Sequence, residues 1–166
     1  MATAENLRDA FAGESQANRK YLAFAKKAEQ EGYAQVARVF RAAGEAETVH
    51  AHAHLRVMKG VGSTADNLQA AIAGEAYEFQ KMYPEFVQAA EAEKNQPALT
   101  SFKNAMAVEQ THHRLYSEAL ASVKGGKDLP AAPIFVCQVC GHTQVGGAPD
   151  TCPVCKARKE KSVEVR

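Results

Sequence analysis

Apolar side chains recur at the spacing of one helix face over most of the first 125 residues of this 166-residue chain. The pattern is interrupted at Glu31-Gly32, at Gly60–Gly62 and at Asn95–Pro97, and it ends near Gly125-Gly126. It predicts four long amphipathic helices, at about residues 3–30, 34–59, 64–94 and 97–124. Four such helices of similar length are typical of an all-α four-helix bundle.

Capping residues and prolines refine the predicted helices. Ser63 or Thr64 can cap the third helix, and Pro97 suits the first turn of the fourth. Pro84 falls inside the third helix, where its missing N–H removes a backbone hydrogen bond. Because the helical pattern continues on both sides of Pro84, we expect a kink or bulge there rather than a helix end.

Composition and charge narrow the function classes. Hydrophobic residues make up 46% of the chain, enough for a buried core. Lys and Arg number 20 against 19 Asp and Glu, which argues against a nucleic-acid-binding protein. No run approaches the roughly 20 apolar residues of a membrane helix. Charged residues also stand where a signal peptide has its apolar segment, so we expect a cytoplasmic protein.

The end of the chain differs in composition from the rest. Four of the six prolines and all four cysteines lie between Pro130 and Cys155. This contrast predicts a helical bundle at 1–125, an exposed linker at 126–134 and a small metal-bound domain at 135–166.

The predicted helices carry glutamates and histidines on the stripe that should face the core. Residues three apart share a helix face, so the two members of each Glu-x-x-His or Glu-x-x-Glu pair can point at one centre. Glu47 and His50 recur 62 residues later as Glu109 and His112, which indicates a duplicated helix hairpin. The candidate ligands are Glu14, Glu47, His50, Glu75, Glu78, Glu109 and His112.

Five carboxylates inside a bundle would be strongly destabilising without cations. A Glu from each of two helices and a Glu-x-x-His from each of the other two is the pattern of di-iron and di-manganese carboxylate bundles. Carboxylate oxygens with one imidazole per metal suit iron or manganese better than tetrahedral zinc. A single Glu-x-x-His pair more often lies on a protein surface and binds no metal. Four motifs in register, one on each helix, predict a two-metal site.

The tail carries a second candidate metal site. Two C-x-x-C pairs separated by eleven residues indicate a tetrathiolate site rather than two disulfides in a cytoplasmic protein. So short a segment could not fold by burial alone, and the metal would supply much of its stability. The spacing does not distinguish iron from zinc. The ligands are Cys137, Cys140, Cys152 and Cys155.

FAGESQA, the two Glu-x-x-His motifs, Glu-x-x-Glu followed by MYPEF, and VCQVCGH…TCPVCKARKEK together resemble the rubrerythrin family over essentially the whole chain. The resemblance implies a ferritin-like bundle with two non-haem irons and a rubredoxin-like domain with one iron. It also implies an NAD(P)H-linked hydrogen peroxide reductase for oxidative-stress defence. Its electrons would come from a donor such as a rubredoxin or an NAD(P)H-dependent reductase.

The resemblance assigns the seven bundle ligands to the two irons and the four cysteines to the third. It implies that one iron shifts between Glu78 and His50 with redox state, and that Tyr21 and Tyr83 hydrogen-bond the carboxylates, with packing as the alternative role. This chain departs from the family at His142 and Ser162, where aromatic residues are common. We expect His142 to be solvent-exposed.

The second and third helices are joined by too few residues for a crossover along the bundle. About four extended residues reach about 14 Å, whereas a 26-residue helix is about 39 Å long. Either the bundle runs up-down-up-down, or two chains exchange hairpins in a domain-swapped homodimer. We favour the dimer, with Glu14, Glu47 and His50 from one chain and the other ligands from the second.

Another function remains open from the sequence. A ferroxidase or iron-handling ferritin-like protein would share the carboxylates, with the tail as a structural zinc ribbon. Setting aside the five site glutamates leaves 14 acidic residues against 20 basic ones, so an acidic electron-transfer partner fits the exterior.

Overall fold

The computed structural model describes residues 2–165, and within them four helical stretches precede a small β-domain. The helices are α1 (Ala2–Gln30), α2 (Ala34–Val57), α3 (Thr64–Tyr77), α4 (Tyr83–Ala92) and α5 (Gln96–Lys124), with a π-helical turn at Glu78–Met82. Because α3, the π turn and α4 follow one another without a break, they form the third helix of the prediction. The predicted helical bundle with a small C-terminal cysteine domain is confirmed.

The chain divides into two compact units between Gly62 and Ser63. The first unit is the hairpin of α1 and α2, which turns at Gly32 with a left-handed backbone (φ 86°). Small side chains allow the two helices to approach closely, and Ala25, Ala28 and Ala37 form their buried contact. Phe40 packs against this cluster.

The second unit begins with a well-defined helix start. The Ser63 hydroxyl accepts a hydrogen bond from the Asp66 N–H, and the Asp66 carboxylate accepts one from the Ser63 N–H, so the two residues make a capping box. The Ser63 hydroxyl also donates to the Asp66 carboxylate (2.6 Å), and this bond, with the one from the Ser63 N–H, lowers the pKa of Asp66. Asn95 caps α5 in a similar way by accepting from the Ala98 N–H, and Pro97 lies in its first turn.

The predicted bulge near Pro84 is confirmed as the π turn at Glu78–Met82, directly before α4. Its last hydrogen bond runs from the Tyr83 N–H to the Glu78 carbonyl, five residues back. A π turn accommodates one extra residue in a helix. Glu14 and Glu75 are 61 positions apart, whereas Tyr21 and Tyr83 are 62 apart. The extra residue of the second half therefore falls in this turn.

The C-terminal domain is a three-stranded antiparallel sheet in the order β2-β1-β3. Its strands are β1 (Ile134–Cys137), β2 (Thr143–Val145) and β3 (Ser162–Val165), with a 3₁₀ turn at Lys159–Lys161. Ser162 pairs with Cys137 across β3 and β1, which places it at the cysteine end of the sheet. Within the second unit, β2 contacts α5.

Candidate metal centres

In the first unit, α1 and α2 bring three predicted ligands together. Oxygen or nitrogen atoms of Glu14, Glu47 and His50 all lie within 4.8 Å of one another. His50 Nδ1 is 3.0 Å from Glu47 Oε2 and 3.9 Å from Glu14 Oε1. Two carboxylates and one imidazole at this spacing form a set of oxygen and nitrogen donors that suits a divalent iron or manganese ion.

In the second unit, α3 and α5 repeat this arrangement. Glu75, Glu109 and His112 also place their ligand atoms within 4.8 Å of one another. His112 Nδ1 is 2.8 Å from Glu109 Oε2 and 3.8 Å from Glu75 Oε1. The near-identical distances in the two units are the structural counterpart of the 62-residue repeat.

The surroundings of the second triad disfavour the ionised forms of Glu75 and Glu78. Burial, a hydrogen bond with Glu109 and repulsion from Glu109 and Glu78 raise the pKa of Glu75 to about 7. Burial and the charge of Glu109 raise the pKa of Glu78, against a smaller opposing effect of His112. A metal cation would relieve this crowding because it stabilises the ionised carboxylates.

Glu78 lies close to the second triad without being part of it, since its charge acts on its neighbours although no oxygen joins the 4.8 Å group. Tyr83 has its pKa raised by burial and by the charges of Glu78, Glu109 and Glu75, so its hydroxyl stands near the same carboxylates. Tyr21 packs against the rings of Phe24 and Phe40, each at 6.3 Å.

The four cysteines of the tail converge, with their sulfur atoms within 4.8 Å of one another. Cys137 Sγ and Cys155 Sγ are 3.7 Å apart, and Cys140 Sγ and Cys152 Sγ are 3.6 Å apart. A tetrahedral ion with metal–sulfur bonds of about 2.3 Å holds its sulfurs about 3.8 Å apart. The cluster therefore has the size and donor set of a tetrathiolate metal site.

The thiols of this cluster do not ionise alike. Burial opposes ionisation of Cys137, but backbone N–H donors at Val139 and Cys140 and the neighbouring thiols outweigh it and lower its pKa to about 7. Burial and the other thiols raise the pKa of Cys140 to about 12, despite a hydrogen bond from the His142 N–H. A bound cation is needed to hold all four as thiolates.

The expected exposure of His142 is wrong. The residue is only 9% exposed, and neither ring nitrogen has a hydrogen-bond partner among the described residues. The preceding residue, Gly141, lies against α5, because a Cβ at that position would lie 3.8 Å from Val108 Cγ1. The knuckle that carries His142 therefore packs against the helix.

Two polar residues at the sites were not found by sequence reasoning. Thr143 Oγ1 lies 3.0 Å from His112 Nε2, a contact between segments that no local pattern connects. Asn18 is 7% exposed, and its amide donates to the Gly44 carbonyl and to the Thr48 hydroxyl. Its position one turn after Glu14 was the available signal, since a polar residue there interrupts the apolar stripe.

None of the helices within residues 2–165 combines the length and apolar character that crossing a bilayer requires.

Comparison with known proteins finds family matches in both parts of the chain. The family described as rubrerythrin matches residues 5–120, and the rubrerythrin, rubredoxin-like domain family matches residues 135–161. Rubrerythrin-2 of Clostridium acetobutylicum is 34% identical over 96% of this chain and 94% of its own length. Rubrerythrin of Porphyromonas gingivalis is 37% identical over 92% and 84%.

Solved structures of nigerythrin are similar to this fold. Its mixed-valence form covers 98% of this chain and 86% of its own, with 32% identity and a TM-score of 0.58. The fully reduced, all-ferrous form has a TM-score of 0.59 at 31% identity. The family match over most of the chain, together with these relatives, shows that the chain belongs to the rubrerythrin family.

Proposed function

We propose that this protein is a hydrogen peroxide reductase with two irons in the helical bundle and one iron in the cysteine site. Its electrons would come from NAD(P)H through a donor protein such as a rubredoxin or a reductase, in defence against oxidative stress. The observation that carries the proposal is the pairing of carboxylate–imidazole triads with a tetrathiolate cluster in one chain. A ferroxidase or storage protein has no use for a redox tail.

The residues fit iron at each site. Nigerythrin, a relative 33% identical, has been solved in an all-ferrous state, which supports iron here as well. We propose that Glu14, Glu47, His50, Glu75, Glu78, Glu109 and His112 hold the bundle irons. The iron pair would supply the two electrons that cleave the O–O bond of hydrogen peroxide.

The protein's own groups position the reaction. The glutamates would neutralise the charge of the metals, and a metal would displace the proton that Glu75 holds in the metal-free chain. Tyr83, half-buried near these carboxylates, keeps its proton and can donate a hydrogen bond to them. We propose the same role for Tyr21 in the first unit. The four cysteines would hold an iron that supplies electrons one at a time.

We further propose a domain-swapped homodimer, in which Glu14, Glu47 and His50 of one chain complete a site with the remaining ligands of a second. Residues 58–63 join α2 to α3, and six extended residues reach about 20 Å. The 24 residues of α2 are about 36 Å long.

We also propose the domain boundaries 1–125 for the bundle, 126–134 for the linker and 135–166 for the rubredoxin-like domain.

The proposal is tested by loading the full chain with iron, reducing it without oxygen and mixing it with hydrogen peroxide or with oxygen. We expect about three irons per chain, a visible thiolate-to-iron absorption band and much faster reoxidation by peroxide. Faster reoxidation by oxygen would favour a ferroxidase instead. Zinc retained in the cysteine site after iron loading would leave the tail as a structural ribbon and overturn the relay.

A further inference from the structure

The hydroxyl of Thr143 stands between the two metal centres of the second unit. Its Oγ1 is 3.0 Å from Nε2 of His112 and 3.3 Å from the carbonyl oxygen of Gly141. Gly141 follows Cys140 directly in the chain. One side chain on β2 therefore connects His112 of the carboxylate triad with the residue that follows Cys140 of the cysteine cluster.

The direction of these hydrogen bonds follows from the surroundings of His112. Its Nδ1 faces the carboxylates of Glu109 and Glu75 and is the atom that a metal would take. The other nitrogen, Nε2, then carries the ring proton and donates it to Thr143 Oγ1. The Thr143 hydroxyl is left to donate to the Gly141 carbonyl.

The first unit lacks this arrangement. His50 repeats the contacts of His112 through Nδ1, yet no described residue accepts a hydrogen bond from its Nε2. The His50 side chain is 55% exposed, whereas that of His112 is 27% exposed. The two triads otherwise match. The hydrogen bond to Thr143, which lies in the C-terminal domain, therefore distinguishes the second triad from the first.

We propose that Thr143 positions His112 and provides the route by which an electron passes from the cysteine-bound iron to the iron at His112. This inference rests on the proposed function. The route runs through the covalent link Cys140–Gly141 and two hydrogen bonds, which carry a tunnelling electron better than an open gap does. The close approach of Gly141 to Val108 keeps this contact compact.

The transfer is a one-electron step with no change in bonding. The cysteine-bound iron goes from ferrous to ferric, and the iron at His112 goes from ferric to ferrous. No covalent bond forms or breaks, and His112 and Thr143 keep their protons. Two such transfers, separated by re-reduction of the cysteine-bound iron, restore the electrons that one peroxide molecule consumes.

The first test measures the rate at which the cysteine-bound iron is reoxidised after peroxide is added to the reduced, iron-loaded chain. Thr143→Val removes both hydrogen bonds and keeps the side-chain shape, and it should slow this phase by roughly tenfold or more, as loss of an outer hydrogen bond to a ligand histidine does. Thr143→Ser should restore it. Thr151→Val, in an exposed position of the same domain, should leave the rate unchanged.

The second test uses the chain loaded with zinc, a diamagnetic ion that keeps the tail folded and occupies His112 Nδ1, and it does not depend on activity. Nitrogen-15 NMR of the histidine rings should find the His112 proton on Nε2 and protected from exchange with water in the parent and in T143S. In T143V this proton should exchange rapidly. A proton located on Nδ1, or the same exchange in T143V as in the parent, would overturn the hydrogen bond.

The outcomes separate this inference from the proposed function. If peroxide fails to oxidise the cysteine-bound iron of the parent chain, the proposed function is wrong. If peroxide oxidises it equally fast in the parent and in T143V, with both variants carrying the same iron content, the function stands and Thr143 is not on the route.

Discussion

Glu75 and Glu109 lie together in the second triad, where burial and a hydrogen bond between their carboxyl groups raise the pKa of Glu75 to about 7. The pair crosses from α3 to α5, so one shared proton links the two helices that form the second triad. A metal ion would take the place of that proton.

This pairing predicts how the stability of the metal-free protein depends on pH. The ordinary pKa of Glu75 is 4.5, so between about 4.5 and 7 the folded chain binds a proton that the unfolded chain has lost. The free energy of unfolding should therefore fall as pH rises through this range. Glu75→Gln should remove that dependence and stabilise the metal-free protein more at pH 8 than at pH 4.

Thermal unfolding of the metal-free protein at both pH values checks this prediction. Glu45→Gln, at an exposed position on α2, is the matched control and should leave the pH dependence in place. An E75Q variant that keeps the parent's pH dependence would show that Glu75 does not carry the shared proton.

Removal of the metal from the tail should unfold the tail and spare the helices. The small sheet has buried cysteines in place of a large apolar core, and Cys137 and Cys152 are among its few buried side chains. Binding of the metal therefore supplies folding free energy to the tail. Cys140→Ser should abolish metal binding in the tail and increase the rate of proteolytic cleavage after Gly125. The helical circular dichroism signal should stay within the error of the parent.

The ends of α1 and α4 predict a stabilising substitution. Gly32 and Lys94 are 62 residues apart, and both adopt a left-handed backbone, with φ of 86° and 55°. Only glycine adopts this conformation without strain. Lys94→Gly should therefore stabilise the protein by about 1 kcal/mol or less, and Gly32→Ala should destabilise it by a similar amount. Urea unfolding of both variants measures the two effects.

Basic residues near the C-terminal knuckle are expected to attract an acidic donor protein. Lys156, Arg158, Lys159 and Lys161 are exposed near the Cys152–Cys155 knuckle, with Lys159 3.8 Å from Asp150. Reduction by an acidic donor should slow as salt increases. Arg158→Glu should slow it further and flatten the salt dependence, whereas Arg8→Glu on α1 should not. An unchanged rate in R158E would place the donor elsewhere.

The repeat made much of this structure predictable from the sequence. Glu47 and His50 predicted Glu109 and His112 at the same helical positions, and Pro84 predicted the irregularity that the π turn supplies. Local rules apply to such features because each depends on residues within a few turns of one helix. Contacts between distant segments follow no such rule. The contact of Thr143 on β2 with His112 on α5 could not be predicted for that reason. The burial of His142 was misjudged in the same way, because the knuckle that carries it packs against the distant helix α5.

If the electrons of the cysteine-bound iron reach peroxide through the carboxylate site, loss of a bundle ligand should block their transfer. The reduced, iron-loaded parent and Glu109→Ala are each mixed with hydrogen peroxide while the thiolate-to-iron absorption is followed. Glu118→Ala, an exposed glutamate on the same helix, is the control. We predict rapid return of the absorption in the parent and in E118A, and a loss of most of that rate in E109A, which lacks a bundle ligand. Equally rapid return in E109A would mean that peroxide oxidises the cysteine-bound iron directly, and it would contradict the relay.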